Sequence, residues 1–385
     1  MTTDGPHRRN WPGSSHLRAL ADSTRFFAVS VVVGFLIGLA TTVYRRQLLA
    51  EQFNRDANRI YNIASGRVPD FQDGSYTPVG LVYRALGLAT APDVAAVLGY
   101  LLASFVIVLA LLRSGRRTAS LPVALYIVAS FLLAGVYLGQ YSKDVFVLLP
   151  VALLVLLPAK IWWDAVAVVA MFAYAFFFRD YWAIVAVMYL AIRVILIRQV
   201  RVRYLVVAGS MAAVAIGLAF FFALGVDPNH FRTAVQGHLE ANTLIVPLEP
   251  FAQPLGGAAD VFLNYWLLYV PVLLPFLAGA PYVVVVLGFV LVKVLPLYAA
   301  RSRVRWPASR EGARVRRALA LILAFSVVQA VFEPDYGSAL RHFTPLMALG
   351  LVVLQGARSG HVRSAPARAW SWSGAAAVDA SASHV

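Results

Sequence analysis

The chain contains no cysteine, and charged residues make up only 13 % of its 385 residues. The missing cysteine excludes disulfide bonds and thiolate metal sites. Soluble domains carry about 25 % charged residues, so the low charge argues against a soluble globular protein. Many transporters are built from internal repeats, and no internal repeat is visible here, which weakens a transporter interpretation. The chain also has no glycine-rich nucleotide-binding loop. Apolar residues, in contrast, account for 60 % of the chain.

The apolar residues form stretches of roughly 16 to 27 residues between short charged islands, which suits helices that cross a hydrocarbon core ~30 Å thick. This pattern predicts an all-α, polytopic transmembrane bundle of about ten helices. The expected spans are 26–44, 94–112, 121–138, 145–159, 163–178, 181–197, 204–225, 271–297, 318–333 and 342–357. We expect a polar cytoplasmic tail over 1–25, a membrane domain over 26–357 and a disordered cytoplasmic tail over 358–385.

The Lys and Arg residues predict the orientation, because cytoplasmic loops of membrane proteins are enriched in them. With ten spans and both termini inside, 23 of the 33 Lys and Arg residues fall on the cytoplasmic side. The net charge of +15 therefore indicates membrane orientation, and no nucleic-acid partner is expected. The same rule decides how 261–299 is interpreted. Two spans broken at 279–281 would place the arginines of 301–317 outside, whereas an interfacial segment over 261–270 and one long span keep them inside.

Two expected outer loops, 45–93 and 226–270, are long, polar and rich in aromatic residues. Long ordered loops in a compact bundle are more often functional than not. Of the 18 Asp and Glu residues, 13 fall on this outer side. Because acidic residues contribute little to topology, their excess indicates a functional site on the outer face.

Two motifs on that face combine opposite charges. Asp56 and Arg59 share one face of a helix and either form a solvated ion pair or present a carboxylate and a guanidinium to a polar substrate. Lys143 and Asp144 begin a span, where backbone amides favour anions, although a lysine there can also snorkel to the interface.

Two further motifs are a hairpin tip and a loop segment. Arg179 and Asp180 lie between two spans in an aromatic setting, typical either of an interfacial belt or of a sugar-binding platform. His238 and Glu240 lie in the second long loop. Their spacing does not place both on one helix face and no third ligand is evident, so base catalysis or hydrogen bonding is favoured over metal binding.

The densest polar cluster comes before the last span. Six of its residues could take part in acid–base or anion chemistry: Glu333, Asp335, Tyr336, Ser338, Arg341 and His342. A solvated turn does not need this density of polar groups. Since Arg341 and His342 begin the span, we expect them at a wet helix end.

These motifs resemble those of the polysaccharide polymerases of bacterial envelopes, the Wzy-like family with its EpsG-like branch. The motifs that carry the resemblance are Asp-x-x-x-x-Tyr (Asp56, Tyr61), Ser-Lys-Asp (142–144), Phe-Arg-Asp-Tyr-Trp (178–182) and Asp-Tyr-Gly-Ser-x-x-Arg-His-x-x-Pro (335–345). The resemblance covers about residues 26–357. The 226–270 loop is shorter than the corresponding loop in many members of the family.

The resemblance implies a metal-independent glycosyltransferase of the inner membrane that needs no cofactor. Such enzymes join undecaprenyl-diphosphate-linked oligosaccharides on the extracytoplasmic side. The partners that the resemblance implies are a polyprenyl-diphosphate-linked glycan, membrane lipids and other glycan assembly or export proteins. The absence of a nucleotide-binding loop fits a lipid-linked donor.

The chemistry of that reaction assigns roles to the motif residues. The leaving diphosphate needs a cationic clamp, and arginine binds phosphate oxygens bidentately. The candidates for substrate and diphosphate binding are Arg341, Arg179, Lys143, Arg59, Asp56, Tyr61, Asp144 and Asp180. The candidates for the base that takes the proton of the sugar hydroxyl are His342, Asp335, Glu333, His238 and Glu240. A shared clamp predicts that Lys143, Arg179 and Arg341 converge on one cavity.

Three alternatives remain open. A glycosyltransferase that uses polyprenyl-monophosphate sugars would place a catalytic acid in the first outer loop, where Asp56 could serve, although the paired acidic motif typical of that class is missing. An O-antigen ligase shares the chemistry of the polymerase. A transporter or lipid flippase would need charges near mid-span, and the sequence predicts almost none there.

Overall fold

The computed structural model describes residues 24–68, 74–114, 118–236, 243–249, 251–301 and 310–358. Helices make up most of these ranges, and the only β pairing among the described residues is one antiparallel bridge between Leu244 and Asp335. The prediction of an all-α protein is therefore confirmed for the described residues. The expected tails over 1–25 and 358–385 fall almost entirely outside these ranges.

The first half of the chain forms helices α1 (Thr24–Val43), α2 (Arg45–Leu48), α3 (Arg55–Ala64), α4 (Thr77–Ala85), α5 (Pro92–Arg113), α6 (Leu121–Tyr137), α7 (Leu148–Leu156), α8 (Ile161–Phe178) and α9 (Trp182–Ile197). The second half forms α10 (Val202–Leu224), α11 (His230–Gln236), α12 (Leu255–Leu267), α13 (Leu274–Ala278), α14 (Val283–Phe289), α15 (Leu295–Ala300), α16 (Arg310–Phe332), α17 (Tyr336–Phe343) and α18 (Met347–Arg358).

Seven helical segments in the described ranges are long and apolar enough to cross a membrane, as expected of a multi-pass membrane protein. They are Thr24–Val43, Pro92–Arg113, Ile161–Phe178, Val202–Leu224, Ala280–Ala300, Arg310–Phe332 and Tyr336–Ala357. Two shorter apolar helices, Leu121–Tyr137 and Trp182–Ile197, also occur.

Helix α16 is the centre of the bundle. Within its most apolar window, 89 % of the residues are buried by protein, against 28 % for α1 and for α10. Apolar side chains that no other helix covers are typical of lipid-facing positions. The centre and the edge of the bundle can therefore be distinguished, and the side chains of α16 point into protein on all sides.

The outermost helix, α1, is fixed by a close crossing with α6. A Cβ atom on Gly135 of α6 would lie 2.3 Å from the carbonyl oxygen of Gly38 in α1. Small residues allow such backbone approach and are common where membrane helices associate. Glycine is therefore required at this crossing for packing.

Two expected spans are interrupted beside polar residues. The expected span 145–159 is a 3₁₀ turn (Lys143–Val147) followed by the nine residues of α7. The last span begins at Tyr336, earlier than expected, and a 3₁₀ turn (Thr344–Leu346) separates α17 from α18. Pro345 lies in that turn and lacks the N–H that a continuous helix requires.

The segment 261–299 departs from the predicted boundaries. The expected span 271–297 is broken at Gly279, whose φ is 108°, and the long helical segment is Ala280–Ala300, with a π-helical turn at Val290–Val294. The expected interfacial segment belongs to α12, which packs between two long helices. Tyr265 donates to Val206 O of α10 at 2.9 Å, and Asn264 donates to Ala330 O of α16 at 2.8 Å.

Candidate functional site

Asp144 occupies the centre of a charged cluster built from four separate parts of the chain. The Ser142 side chain caps the 3₁₀ turn Lys143–Val147 by accepting a hydrogen bond from Asp144 N at 3.1 Å. Tyr83 of α4 holds the backbone of Ser142, donating to its carbonyl oxygen at 3.3 Å and accepting from its amide at 3.2 Å. The carboxylate of Asp144 is therefore held in one orientation at the start of α7.

Two arginines from distant helices bind this carboxylate. Arg341 of α17 places Nε 2.8 Å from Asp144 Oδ2, and Arg179, which follows α8, places Nη2 3.2 Å from Asp144 Oδ1. Arg341 also extends Nη1 to 2.5 Å from Oδ2 of Asp56 in α3. We call these four residues, together with Lys143, the outer cluster.

The outer cluster is partly open to solvent. The exposed side-chain fractions are 27 % for Asp56, 14 % for Arg341 and 11 % for Arg179. The expectation of a wet helix end for Arg341 is therefore wrong, because this side chain is largely buried and binds two carboxylates. Among the described residues, Arg341 Nη2 and Arg179 Nε have no hydrogen-bond partner.

The charges in the outer cluster shift the acidity of its members. Burial alone would raise the pKa of Asp56, but the positive charges of Arg341 and Lys143 lower it to about 2. Burial would likewise raise the pKa of Asp144, and Arg179 and Arg341 hold it well below its usual range. Burial and the neighbouring Arg179 lower the pKa of Lys143. With three cations and two carboxylates, the cluster is suited to an anionic ligand.

Tyr76, from the first long loop, covers one side of the outer cluster. Lys143 Nζ lies 4.0 Å from the centre of the Tyr76 ring and 3.2 Å from Ser75 Oγ, while Arg59 lies over the same ring at 4.7 Å. Burial, and then the charge of Asp56, raise the pKa of Tyr76, so its hydroxyl stays a donor. The first loop thus contributes an aromatic surface with cations on it.

A second group, around Glu333, lies beside the outer cluster. His342 Nδ1 is 3.0 Å from Glu333 Oε2, and the Ser338 hydroxyl donates to Glu333 Oε1. Burial alone would raise the pKa of Glu333, but His342 in its charged form, the hydrogen bonds from His342 and Ser338, and the charge of Arg179 lower it. A buried carboxylate bound to a ring nitrogen orients the imidazole and leaves its other nitrogen for proton transfer.

Asp335 has a structural role at the start of α17. Its Oδ1 accepts from Ser338 N at 2.8 Å and so caps the N-terminus of α17, as acidic side chains commonly do. The backbone beside it pairs with the second long loop, since Ile245 N donates to Pro334 O and Tyr336 N donates to Thr243 O, each at 3.0 Å. Burial, and then the charge of Glu333, raise the pKa of Asp335.

The remaining predicted residues lie outside these two groups. Tyr61 stacks on Tyr141 with ring centres 6.0 Å apart and lies under Arg67. Asp180 is exposed at the turn between α8 and α9. His238 and Glu240 lie outside the described residues. No group of three or more His, Asp or Glu side chains with the geometry of a metal site occurs in the described ranges.

Arg45 fixes the first loop to the rest of the site and was not predicted. It is buried and donates to Val136 O at 2.9 Å, Gly139 O at 3.1 Å, Phe53 O at 3.0 Å and the side chain of Gln140. These bonds join the loop after α1 to the turn that precedes Lys143. A basic residue directly after an expected span was the only signal in the sequence, and it is also typical of a simple anchor.

Charged residues inside the long helices were also missed. Lys293, counted with the cytoplasmic cations, is buried in the segment Ala280–Ala300, with Nζ 2.8 Å from Gln329 Oε1. Asp164 of α8 binds Arg193 Nε at 3.2 Å and Arg317 Nε at 2.5 Å. The prediction was that almost no charge lies near mid-span. Lys293 and Arg317, which lie well inside their segments, depart from it, whereas Asp164 lies in the first turn of α8.

Comparisons of the chain with protein-family models, with curated proteins and with solved structures give no match. The class that the fold and the site define is a multi-pass helical membrane protein. Its candidate site is a partly open cluster of cations and carboxylates beside a buried Glu–His pair.

Proposed function

We propose that this protein is a membrane glycosyltransferase that polymerises polyprenyl-diphosphate-linked oligosaccharides into an envelope polysaccharide or exopolysaccharide. In this proposal the chain crosses the plasma membrane about ten times, with both termini in the cytoplasm and the site on the extracytoplasmic side. The carrying observation is that Arg179 and Arg341 converge on Asp144, with Lys143 adjacent, in a cluster that remains partly open.

The outer cluster supplies what the departing diphosphate requires. Negative charge grows on the diphosphate as the glycosidic bond breaks, and donors that are already positioned stabilise it best. Asp56 and Asp144 hold the guanidinium of Arg341 through Nη1 and Nε, so its position is fixed before substrate binds. Nη2 of Arg341 and Nε of Arg179 have no hydrogen-bond partner but are buried, so in this proposal the diphosphate binds at the exposed edge of the two guanidinium groups.

The Glu–His pair supplies the proton acceptor. The acceptor sugar's hydroxyl oxygen attacks the anomeric carbon, the bond between that carbon and the diphosphate oxygen breaks, and its electrons remain on the diphosphate. The hydroxyl proton passes to Nε2 of His342, while Glu333 holds Nδ1 at 3.0 Å. His342 is the strongest candidate base because Glu333 and Asp335 already bind Ser338, and Asp335 caps a helix.

The monophosphate-dependent alternative requires Asp56 as its catalytic acid or base. A pKa of about 2 and a direct bond to Arg341 make Asp56 a weak base and a poor proton donor. The geometry therefore favours a supporting role for Asp56. A ligase that transfers the glycan to a different acceptor would use the same cluster, and the identity of the acceptor decides between the two enzymes.

The activity is tested with purified protein in liposomes that contain an undecaprenyl-diphosphate-linked oligosaccharide repeat. Polymerisation predicts a ladder of longer lipid-linked glycans and release of undecaprenyl diphosphate. A monophosphate-linked sugar given with an unlabelled acceptor glycan tests the first alternative, and a non-polyprenyl glycolipid acceptor tests the ligase. Absence of any elongated product from the diphosphate donor would reject the proposal.

The proposed topology is tested by cysteine labelling in intact cells, which is simple because the chain has no native cysteine. We expect an impermeant thiol reagent to label Ser75→Cys, in the first outer loop, and to leave Ser309→Cys unlabelled until the membrane is permeabilised. The opposite pattern would place the outer cluster on the cytoplasmic side and would contradict an extracytoplasmic reaction.

A further inference from the structure

Lys293 is a buried cation inside a long apolar segment. Only 1 % of the residue is exposed, and it lies in the π-helical turn Val290–Val294. Such turns are rare and are found frequently at functional sites. The rings of Phe343, Tyr269 and Phe289 surround its ammonium, with centres 5.2, 5.7 and 5.7 Å from Nζ. Aromatic faces stabilise a cation that has lost its water, so these rings offset part of the cost of burying the ammonium.

A single side chain connects Lys293 to the Glu–His pair. Gln329 of α16 accepts from Lys293 Nζ through Oε1 at 2.8 Å, which leaves its amide nitrogen to donate to Glu333 Oε2 at 3.3 Å and to Ala339 O at 3.0 Å. Because an amide has one acceptor oxygen and one donor nitrogen, these bonds fix its orientation. Lys293 and Glu333 are thus the two ends of one hydrogen-bonded line.

The hydrogen-bonded connection from Lys293 through Gln329 is important because the buried carboxylate of Glu333 needs a positive charge to balance it. A buried carboxylate is stable only when it is paired. Arg179 acts on Glu333 electrostatically, and two cations are connected to it by hydrogen bonds: an imidazolium at His342, or Lys293 through Gln329. If His342 carried the charge it could not accept a proton. Asp144 and Asp335 also act electrostatically on His342, but Arg341 and Arg179 balance Asp144.

We propose that Lys293 is the counter-charge of Glu333, acting through Gln329, and that the paired carboxylate orients His342 by accepting Nδ1–H, which leaves Nε2 directed to the sugar proton. Lys293 is then a positioning residue for the proposed glycosyl transfer, and this inference rests on that function. It touches neither the diphosphate nor the acceptor.

The charge pairing is tested without any activity measurement, by thermal unfolding of the purified protein in detergent. Lys293→Met leaves Glu333 without its counter-charge and should lower Tm. Adding Glu333→Gln removes the stranded carboxylate, so the double variant should melt at a higher temperature than Lys293→Met alone. Independent, additive losses in Tm would show that the two charges are not coupled and would overturn the proposal.

The positioning role is tested with the liposome assay. Lys293→Met should lower kcat by about 10²-fold, the lower end of what a general base contributes, and should leave the KM for the lipid-linked donor nearly unchanged. Gln329→Met, which breaks the line but keeps both charges, should show the same loss of kcat. Lys160→Met, at an exposed lysine, is the matched control and should behave as the wild type.

The possible results separate this inference from the proposed function. A wild-type protein that elongates nothing rejects the polymerase, while the melting cycle still decides whether Lys293 balances Glu333. An active wild type with a normal kcat in both folded variants rejects the positioning role. A raised KM at constant kcat would do the same, because it would make Lys293 a substrate-binding residue.

Discussion

The described residues form two clusters in which two arginines bind a buried aspartate, and the clusters differ mainly in how exposed their side chains are. In the outer cluster, Arg179 and Arg341 bind Asp144, and their side chains are 11 and 14 % exposed. The other, which we call the inner cluster, joins Asp164, Arg193 and Arg317, whose side chains are 1, 6 and 0 % exposed.

The partners of the arginines also differ. In the inner cluster, Arg317 Nη1 donates to the carbonyls of Leu157 and Pro158 at 2.9 and 3.2 Å, and Tyr189 donates to Asp164 at 2.9 Å. All of these groups belong to α8, α9, α16 and the turn before α8, so the inner cluster fixes long helices to each other. The outer cluster instead joins helix ends to the first loop. The outer cluster is therefore the candidate site, because its side chains are more exposed than those of the inner cluster and because it contacts the first loop.

The largest expected effect is on stability, at the inner cluster. Arg317→Leu should lower the free energy of unfolding by about 3 kcal/mol, because removing one partner leaves buried charge uncompensated. Activity per folded molecule should stay near that of the wild type. The measurement is thermal unfolding in detergent alongside the liposome assay. Normal stability with lost activity would remove the distinction between the two clusters.

The second effect is on rate, at the outer cluster. Arg341→Lys keeps the charge but loses the planar fork that binds two carboxylates and phosphate. Loss of one positioned charge-stabilising donor typically lowers the rate by ~10²–10³, so we expect short polymer in a strain that carries this variant at normal membrane levels. Arg46→Lys, at an arginine whose side chain is 74 % exposed, is the matched control. Long polymer from Arg341→Lys would make this residue an anchor only.

The smallest effect concerns Asp56 and pH. Its pKa is lowered from 3.8 to about 2, so its ionised form stabilises the fold above about pH 4, and this contribution is lost as the pH falls towards 2. Asp56→Asn should therefore lower the free energy of unfolding by about 2 kcal/mol, equally at pH 5 and pH 8. A difference that changes between these two pH values would show that another group titrates with Asp56.

The sequence predicts the helices and the polar motifs well, because both are local patterns. The contacts inside the site are not local: Arg341 binds Asp144, which is 197 residues away in the sequence, and Asp56, which is 285 residues away. The need for several cations at one diphosphate predicts that Lys143, Arg179 and Arg341 converge on one cavity, and the structure brings the two arginines to one carboxylate beside Lys143. The sequence could not predict that Arg341 binds Asp56 as well as Asp144, since the contact with Asp56 depends on how the first loop folds back.

The missed residues have a common physical cause. The positive-inside rule assigns a cation near the end of a span to a loop, so Lys293 and Arg317 were counted as cytoplasmic. The π-helical turn and the interruptions at Lys143–Val147 and Thr344–Leu346 shift side chains along the helices in ways that hydropathy does not record. Charged groups can lie within a bundle when other protein groups replace water around them.

The burial of the last long segment has a consequence for how the protein is made. Tyr336–Ala357 is the least apolar of the seven candidate spans, and 72 % of its window is covered by protein. A segment that carries Arg341 and His342 partitions poorly into lipid alone, because a charged residue is unfavourable for insertion. Synthesis reaches this segment after the other six candidate spans of the described residues, so Asp144 and Asp56 are already made when Arg341 emerges. Pairing with these carboxylates offsets the cost of placing Arg341 in the membrane.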